Sequence, residues 1–181
     1  MEPGGQPAAI YLSEHDDADH TKRLVEAEGR RALTIACDLQ REEECRRAVE
    51  ETASQLGRLD VLVNRVGTQT PVDSPEEITT EQWEGTFKTN VYSYFWTTKA
   101  ALAHMGEGGA IINTGSVMWS PLIPATFPKE KVEEFGKQVP MGRAAQPDEI
   151  APSYVFFASD ALSSYYTGEV LGPIGGETLP G

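Results

Sequence analysis

The chain has 181 residues, of which 28 are acidic and 15 basic, so its formal net charge is −13. This length predicts one domain, and 39% apolar against 24% charged residues predicts a packed core rather than disorder. The acidic balance excludes a nucleic-acid-binding class, because phosphate backbones require clustered Lys and Arg, and it disfavours anionic membrane surfaces. We therefore expect neither a nucleic-acid nor a membrane partner.

The termini and cysteines favour a cytoplasmic protein. Residues 1–5 lack the basic flank and apolar run of a signal peptide, and the longest uncharged stretch, 108–128, contains prolines and polar side chains that make it a poor membrane span. Two cysteines, Cys37 and Cys45, are too few for a disulfide framework. They are interpreted as reduced, buried thiols.

Short apolar runs alternate with amphipathic stretches in the first half of the chain. Apolar runs predict strands at 8–12, 32–37 and 60–64, and the intervening periodicity predicts helices at 15–29 and 41–56. The strand at 60–64 is apolar almost throughout, which is typical of a parallel sheet that is covered on both faces.

The second half continues this alternation. A long helix is predicted over 79–102, followed by a strand at 110–114, helices at 128–137 and 147–159, and a short strand at 169–171. The pattern predicts an α/β fold, with a mostly parallel, doubly wound sheet flanked by helices in one domain over 1–181.

Three polar residues follow predicted strands and are therefore candidates for a ligand site. Asp38, Asn64 and Ser116 lie where the carboxyl ends of parallel strands bind ligands in such folds. Each also has a structural interpretation, since Asp and Asn cap helices and Ser is common in turns.

Several motifs, taken in order, resemble the short-chain dehydrogenase/reductase family. Residues 59–67 resemble the family's Asn-Asn-Ala-Gly strand end, 36–39 its adenine contact, 87–91 the helix with its active-site Asn, and 111–117 the strand that ends in its catalytic Ser. The matches continue at 140–143, 146–151, 167–170 and 175–176. Arg65-Val66 departs from the family's Asn-Ala and places a charged, bulky side chain near the cofactor groove.

The resemblance implies a Rossmann-type fold and hydride transfer between NAD or NADP and an alcohol or carbonyl substrate. By this resemblance Ser116 orients the substrate and Asn90 belongs to the proton relay. The implied cofactor-binding residues are Asp38 and Leu39 at the adenine, Asn64 at the adenosine ribose, Gly67 at the strand end, and Ser120 at the nicotinamide carboxamide. No metal is expected, because His15 and His20 are five residues apart and lie on different helix faces.

Two family motifs are missing from the 181 residues. The Gly-rich cofactor turn is expected before the strand at 8–12, and none of the six tyrosines has a Lys four residues later. The chain changes register with the family between about 117 and 119, so an internal segment with the Tyr-x-x-x-Lys helix is predicted to be absent. We therefore expect an incomplete domain with negligible dehydrogenase activity, in which the strands at 8–12 and 60–64 close up as direct neighbours.

Other functions stay open at this point. The chain is alternatively a non-catalytic subunit that pairs with full-length relatives, or a truncated product without a stable function. A homo-oligomer and a hetero-oligomer with such relatives are both compatible with the sequence. Neither the substrate nor the choice between NAD and NADP follows from the sequence.

Overall fold

A computed structural model describes residues 5–115 and 122–176. Four strands are present in this part of the chain: β1 (Ala8–Tyr11), β2 (Leu33–Ala36), β3 (Leu59–Asn64) and β4 (Met105–Asn113). The helices are α1 (His15–Ala27), α2 (Glu42–Leu56), α3 (Thr80–Phe87), α4 (Ser93–Ala101), α5 (Leu122–Thr126), α6 (Lys129–Glu134), α7 (Pro147–Ala158) and α8 (Asp160–Ser163). A 3₁₀ turn spans Pro75–Glu77, and a π-helical segment, Lys88–Tyr92, joins α3 to α4.

The strands form two separate parallel pairs. β1 pairs with β2, in a register that places Ala8 opposite Leu33, and β3 pairs with β4, with Asn64 opposite Asn113. Each strand is followed by a helix before its partner or the next pair begins, as parallel connections require. The α/β class and the parallel pairing predicted from the sequence are thus confirmed.

The predicted closure of the sheet between the strands at 8–12 and 60–64 is wrong. β1 hydrogen-bonds to β2 and β3 to β4, and no ladder joins β1 to β3 in the described residues. The helix α2, which leads from one pair to the other, packs on α4 and also contacts β3. β1 and β3 are therefore not neighbours in a ladder, in which strands lie about 4.8 Å apart, and the two pairs are joined through helix packing instead.

Helix boundaries largely follow local signals. Gly57 ends α2 with φ +84°, the left-handed conformation that favours Gly at this position. Thr79 and Gln82 form a capping box at the start of α3. The long helix predicted over 79–102 is interrupted by the π-helical segment, which adds a residue to one turn and turns the following side chains about the helix axis.

The predicted strand at 169–171 is not formed. Val170 is 86% exposed and Leu171 is 51% exposed, and neither belongs to a strand pair. A short apolar run becomes a strand only where a neighbouring strand offers hydrogen bonds, and this segment has no such neighbour among the described residues. The helix predicted at 128–137 is also shorter, and ends at Glu134.

The main buried cluster lies between β2 and α2. Ile35, Cys37 and Ala48 form it, with Ile10 and Leu39 packed at its edge. Cys45 is fully buried nearby, and both cysteines are free thiols, as predicted. Burial raises the pKa of the Cys45 thiol to about 12, so this thiol is not ionised at neutral pH.

The described residues contain neither a membrane-spanning helix nor a metal-binding cluster. None of their helices is both long enough and apolar enough to cross a membrane. Their His, Cys, Asp and Glu side chains also form no group of three or more able to hold a metal ion.

Candidate functional site

A cleft of about 720 Å³ lies at the carboxyl ends of β3 and β4. One wall is the loop 65–70, which follows β3 directly. A second wall is formed by α3 and the π-helical segment, and residues 114–115, which follow β4, also line the cleft. This position is where parallel α/β sheets bind ligands.

Asn90 holds the loop wall of the cleft in place. Its side-chain oxygen accepts a hydrogen bond from the Thr68 backbone N–H at 2.8 Å, and its side-chain nitrogen donates to the Thr68 carbonyl oxygen at 2.8 Å. Asn90 lies in the π-helical segment, a geometry that is frequent at functional sites. The two bonds attach the helix wall to the loop wall, and the proton-relay role that the resemblance implies for Asn90 stays a prediction.

Asn64 lies below the cleft rather than on its surface. It is 6% exposed, and its side-chain nitrogen donates to Asn113 Oδ1 at 2.9 Å and to Thr98 Oγ1 at 3.3 Å. Thr97 Oγ1 donates to Asn64 Oδ1 at 2.8 Å. The side chain therefore links β3, β4 and α4, and its implied contact with the adenosine ribose stays a prediction.

Two tyrosines that the sequence analysis did not single out meet at the end of β4. The Tyr94 hydroxyl lies 2.9 Å from the Val66 carbonyl oxygen and 3.1 Å from the Thr114 carbonyl oxygen, so its one proton is shared between two acceptors. The Tyr154 hydroxyl, from α7, lies 2.7 Å from Thr114 Oγ1. The sequence signal that could have identified Tyr94 was its position four residues after Asn90, which places both side chains on a similar face of the helix.

The environment of Tyr94 favours its neutral phenol. Burial is the main cause that raises the Tyr94 pKa above its ordinary value, and nearby Tyr154 raises it further. The positive charge of Arg65 has the opposite effect but does not outweigh the others. Tyr94 is therefore a hydrogen-bond donor that fastens the ends of β3 and β4, and it is poorly suited to accept and release a proton near neutral pH.

The predicted adenine contacts lie apart from this cleft. Asp38 accepts a hydrogen bond from the Gln40 backbone N–H at 3.0 Å, in a local turn after β2. Leu39 packs against the buried cluster of Ile35, Cys37 and Ala48. Neither Asp38 nor Leu39 lines the cleft. Their cofactor roles stay predictions.

Of the three remaining predicted residues, one lies in the described part of the chain and two lie outside it. Gly67 lines the cleft, and a Cβ at this position would lie 4.0 Å from Asn90 Oδ1, an ordinary contact distance. Ser116 and Ser120 lie outside the described residues.

The described lining is mostly neutral and hydrogen-bonding. Thr68, Gln69, Thr70 and Thr114 offer hydroxyl and amide groups. The rings of Trp83 and Phe87, tilted by 38° with centroids 4.7 Å apart, give an aromatic wall. Such a surface suits a small polar molecule with a flat ring.

Comparisons with known proteins show the family to which the chain is similar. Residues 2–121 match the family model for short chain dehydrogenase. General stress protein 39 of Bacillus subtilis is 42% identical, over 96% of this chain and 76% of its own length. NADPH-dependent aldehyde reductase 1 of Arabidopsis thaliana, a chloroplastic protein, is 37% identical, over 97% of this chain and 78% of its own length.

A solved structure has a similar backbone. The NADH-dependent reductase A1-R′ complexed with NAD superposes with a TM-score of 0.81, at 25% identity, over 98% of this chain and 88% of that one. The alignment with general stress protein 39 runs over 217 residues, although this chain has 181, so it includes positions where this chain has no residue. Family model, relatives and fold agree, and the chain belongs to the short-chain dehydrogenase family of NAD(P)-dependent oxidoreductases.

Proposed function

We propose that this chain retains the ligand cleft of a short-chain dehydrogenase but carries out alcohol or carbonyl redox chemistry with negligible turnover. The observation that carries the proposal is the absence, in all 181 residues, of a Tyr with a Lys four residues later. The family reaction moves a hydride and also a proton at the substrate oxygen, and a phenol with a lowered pKa serves the second step.

The tyrosine nearest to the cleft does not replace the missing one. Tyr94 directs its proton at two backbone carbonyl oxygens, and its pKa is raised rather than lowered. No Lys lines the cleft among the described residues, and the one cation that does, Arg65, lowers the Tyr94 pKa by less than burial and Tyr154 raise it. Asn90 and Tyr94 hold the cleft in shape without moving a proton.

The cleft fits one half of a dinucleotide cofactor. Its aromatic wall at Trp83 and Phe87 and its amide and hydroxyl groups suit a nicotinamide ring with its ribose. When bound, NAD or NADP would supply or accept the hydride. Asp38 and Leu39, the proposed adenine contacts, lie after β2 in the other strand pair, and no ladder among the described residues fixes this pair to β3–β4, so we expect a weaker hold on the adenine half. Binding of NAD(P) is accordingly proposed to be weak.

The proposal includes an internal gap in the domain near residues 117–119. The alignment that exceeds the chain in length supports it, and so does the change of register with the family at this point. The two buried free thiols support the proposal of a cytoplasmic location, because disulfides are rare in that compartment.

The test compares the purified chain with the Arabidopsis aldehyde reductase. Acid–base catalysis contributes roughly 10²–10⁴-fold, so we expect NADPH oxidation with a panel of aldehydes at least ~100-fold slower than that of the reductase. Millimolar NADH or NADPH should still raise the melting temperature of the chain by a small amount. Turnover at the reductase's rate would contradict the proposed loss of activity, and an unchanged melting temperature would contradict the proposed cofactor site.

A second candidate function, pairing with another copy or a full-length relative, is favoured by an exposed apolar helix face. Trp83, Val91, Phe95 and Leu102 are between 49% and 63% exposed along α3, the π-helical segment and the end of α4. Such a face is typical of helices that dock on a partner.

Sedimentation analysis of two variants tests this pairing. If the apolar face is an interface, Phe95→Glu should give monomers at concentrations where the unaltered chain is dimeric. Leu24→Glu, which changes a similarly exposed apolar residue on α1, should leave the dimer intact. A monomeric unaltered chain that also fails to co-purify with a full-length relative would exclude this function.

A further inference from the structure

We propose that Arg65 makes the cleft a binding site for an anionic group, a carboxylate or a phosphate, carried by a ligand with a flat ring. This inference rests on the proposed function only in taking the cleft as the ligand site. It adds a charge preference that follows from the position of one side chain.

Arg65 holds an unusual place in the cleft. It is exposed and follows β3 directly, in the loop 65–70 that forms one wall of the cleft. Every other lining residue that the structure describes is uncharged. In a protein of net charge −13, a cleft whose described walls carry only a positive charge is a local exception to the overall potential.

The charge of Arg65 acts inside the cleft rather than only at its rim. It lowers the pKa of Tyr94 against the larger effects of burial and of Tyr154. Tyr94 lines the same cleft and joins the ends of the two strands. A ligand beside Tyr94 therefore lies within the field of the guanidinium.

The rest of the cleft defines the partner of that charge. The guanidinium is planar and presents parallel N–H donors, which match the two oxygens of a carboxylate or phosphate. Trp83 and Phe87 supply the aromatic wall, and Thr68 and Gln69 supply neutral hydrogen-bonding groups. The anion has two sources with this chemistry, the carboxylate of a substrate and the phosphate of the cofactor.

Paired ligands that differ in charge separate these sources. Benzoate against benzyl alcohol reports on a substrate carboxylate, and nicotinamide mononucleotide against nicotinamide riboside reports on a cofactor phosphate. Binding is followed by calorimetry and by tryptophan fluorescence at low ionic strength. We expect each anion that uses the site to bind the unaltered chain more tightly than its partner without the anionic group.

The variants then assign the preference to Arg65. Arg65→Asn should weaken binding of the anion roughly tenfold and leave benzyl alcohol unchanged, and 0.5 M salt should reduce this difference. Arg65→Lys should keep part of the preference, because it keeps the charge but loses the planar pair of donors. Arg46→Gln, an exposed arginine on α2 outside the cleft, is the control for net charge and should have no effect.

Each outcome either supports or overturns the inference. A loss for benzoate alone identifies a substrate carboxylate, a loss for the mononucleotide alone identifies the cofactor phosphate, and both support the anion site. The inference is overturned if Arg65→Asn binds both anions as the unaltered chain does, if Arg46→Gln shows the same loss, or if the unaltered chain binds neither anion. Failure of all four ligands to bind would in addition reject the cleft as the ligand site. Binding without charge preference would reject only the role of Arg65.

Discussion

Asn64, below the cleft, and Asn90, in its wall, show how single amide side chains hold the cleft in shape. Asn64 is the last residue of β3, and Asn90 contacts the loop that follows this strand. Both side chains form hydrogen bonds with other groups of the protein. Asn64 joins β3 to β4 and α4, whereas Asn90 joins the helix wall to Thr68. An amide fits such a position because it donates and accepts at once, and an aliphatic side chain would leave the partner groups unsatisfied.

Asn64→Ala is predicted to lower the free energy of unfolding by roughly 2–4 kcal/mol. The change removes a buried side chain together with its hydrogen bonds to Asn113, Thr98 and Thr97. Urea unfolding followed by circular dichroism measures this loss. Asn113→Ala removes only the bond at 2.9 Å from an exposed residue and should cost less. Equal losses in the two variants would contradict the proposed network.

The start of α7 depends on an exposed ionic arrangement. Arg143 donates from its two terminal nitrogens to the two oxygens of Glu149, both at 2.6 Å, and the Gln146 backbone N–H donates to the same carboxylate at 2.9 Å. These bonds, with the Arg143 bond the largest cause, lower the Glu149 pKa from 4.5 to about 2. The positive end of the helix dipole also stabilises the negative charge of the Glu149 carboxylate, which lies in the first turn of α7.

This pKa shift predicts an acid dependence of stability. The Glu149 pKa is lower in the folded than in the unfolded state, so its stabilising contribution is present above pH 4.5 and is lost as the pH falls toward about 2. In Arg143→Gln the folded-state pKa should move back toward 4.5, and the urea midpoint should depend less on pH within this window. Arg58→Gln, an exposed change on the loop before β3, is the control. An unchanged pH dependence in Arg143→Gln would contradict the assignment.

At the scale of the whole molecule, the division into two strand pairs decides how the chain holds together. β1–β2 has four residues in each strand, while β3–β4 has six and nine and is also contacted by α4 and α7. The contact of α2 with α4 and β3 joins the two pairs through helices instead of through backbone hydrogen bonds. A strand edge without a neighbouring strand leaves backbone N–H and C=O groups unpaired, and such an edge can pair with a strand of another chain.

Hydrogen exchange should therefore resolve two opening steps. Amides in the β1–β2 ladder, such as the Cys37 N–H bonded to the Tyr11 carbonyl, should exchange at a lower free energy than those of β3–β4. Native-state exchange in increasing urea, followed by nuclear magnetic resonance, measures the opening free energy of each strand pair. A single common free energy for both strand pairs would show that they unfold as one unit.

Local features were predictable and long-range ones were not. The capping box at Thr79 and Gln82, the Gly57 helix end and the start of α7 at Pro147 each depend on a few neighbouring residues, and the structure has all three. The π-helical segment at Lys88–Tyr92 was missed, because the apolar periodicity of an α-helix continues through it. Asn90 was singled out through the family motif, and Tyr94 had a weaker signal in its spacing from Asn90, whereas the contact of Tyr154 with Thr114 arises only by packing.

The sequence by itself determined the family and the alternation of strands with helices. It also determined the absence of the Tyr-x-x-x-Lys pair, because each of these is a matter of residue type and short spacing. Only the tertiary structure decided that β1 pairs with β2 and β3 with β4, that residues 169–171 find no partner strand, and that Arg65 shares a cleft with Trp83 and Tyr94. The physical reason is that strand pairing and cleft walls depend on groups far apart in the chain, which come together only when helices such as α2 pack.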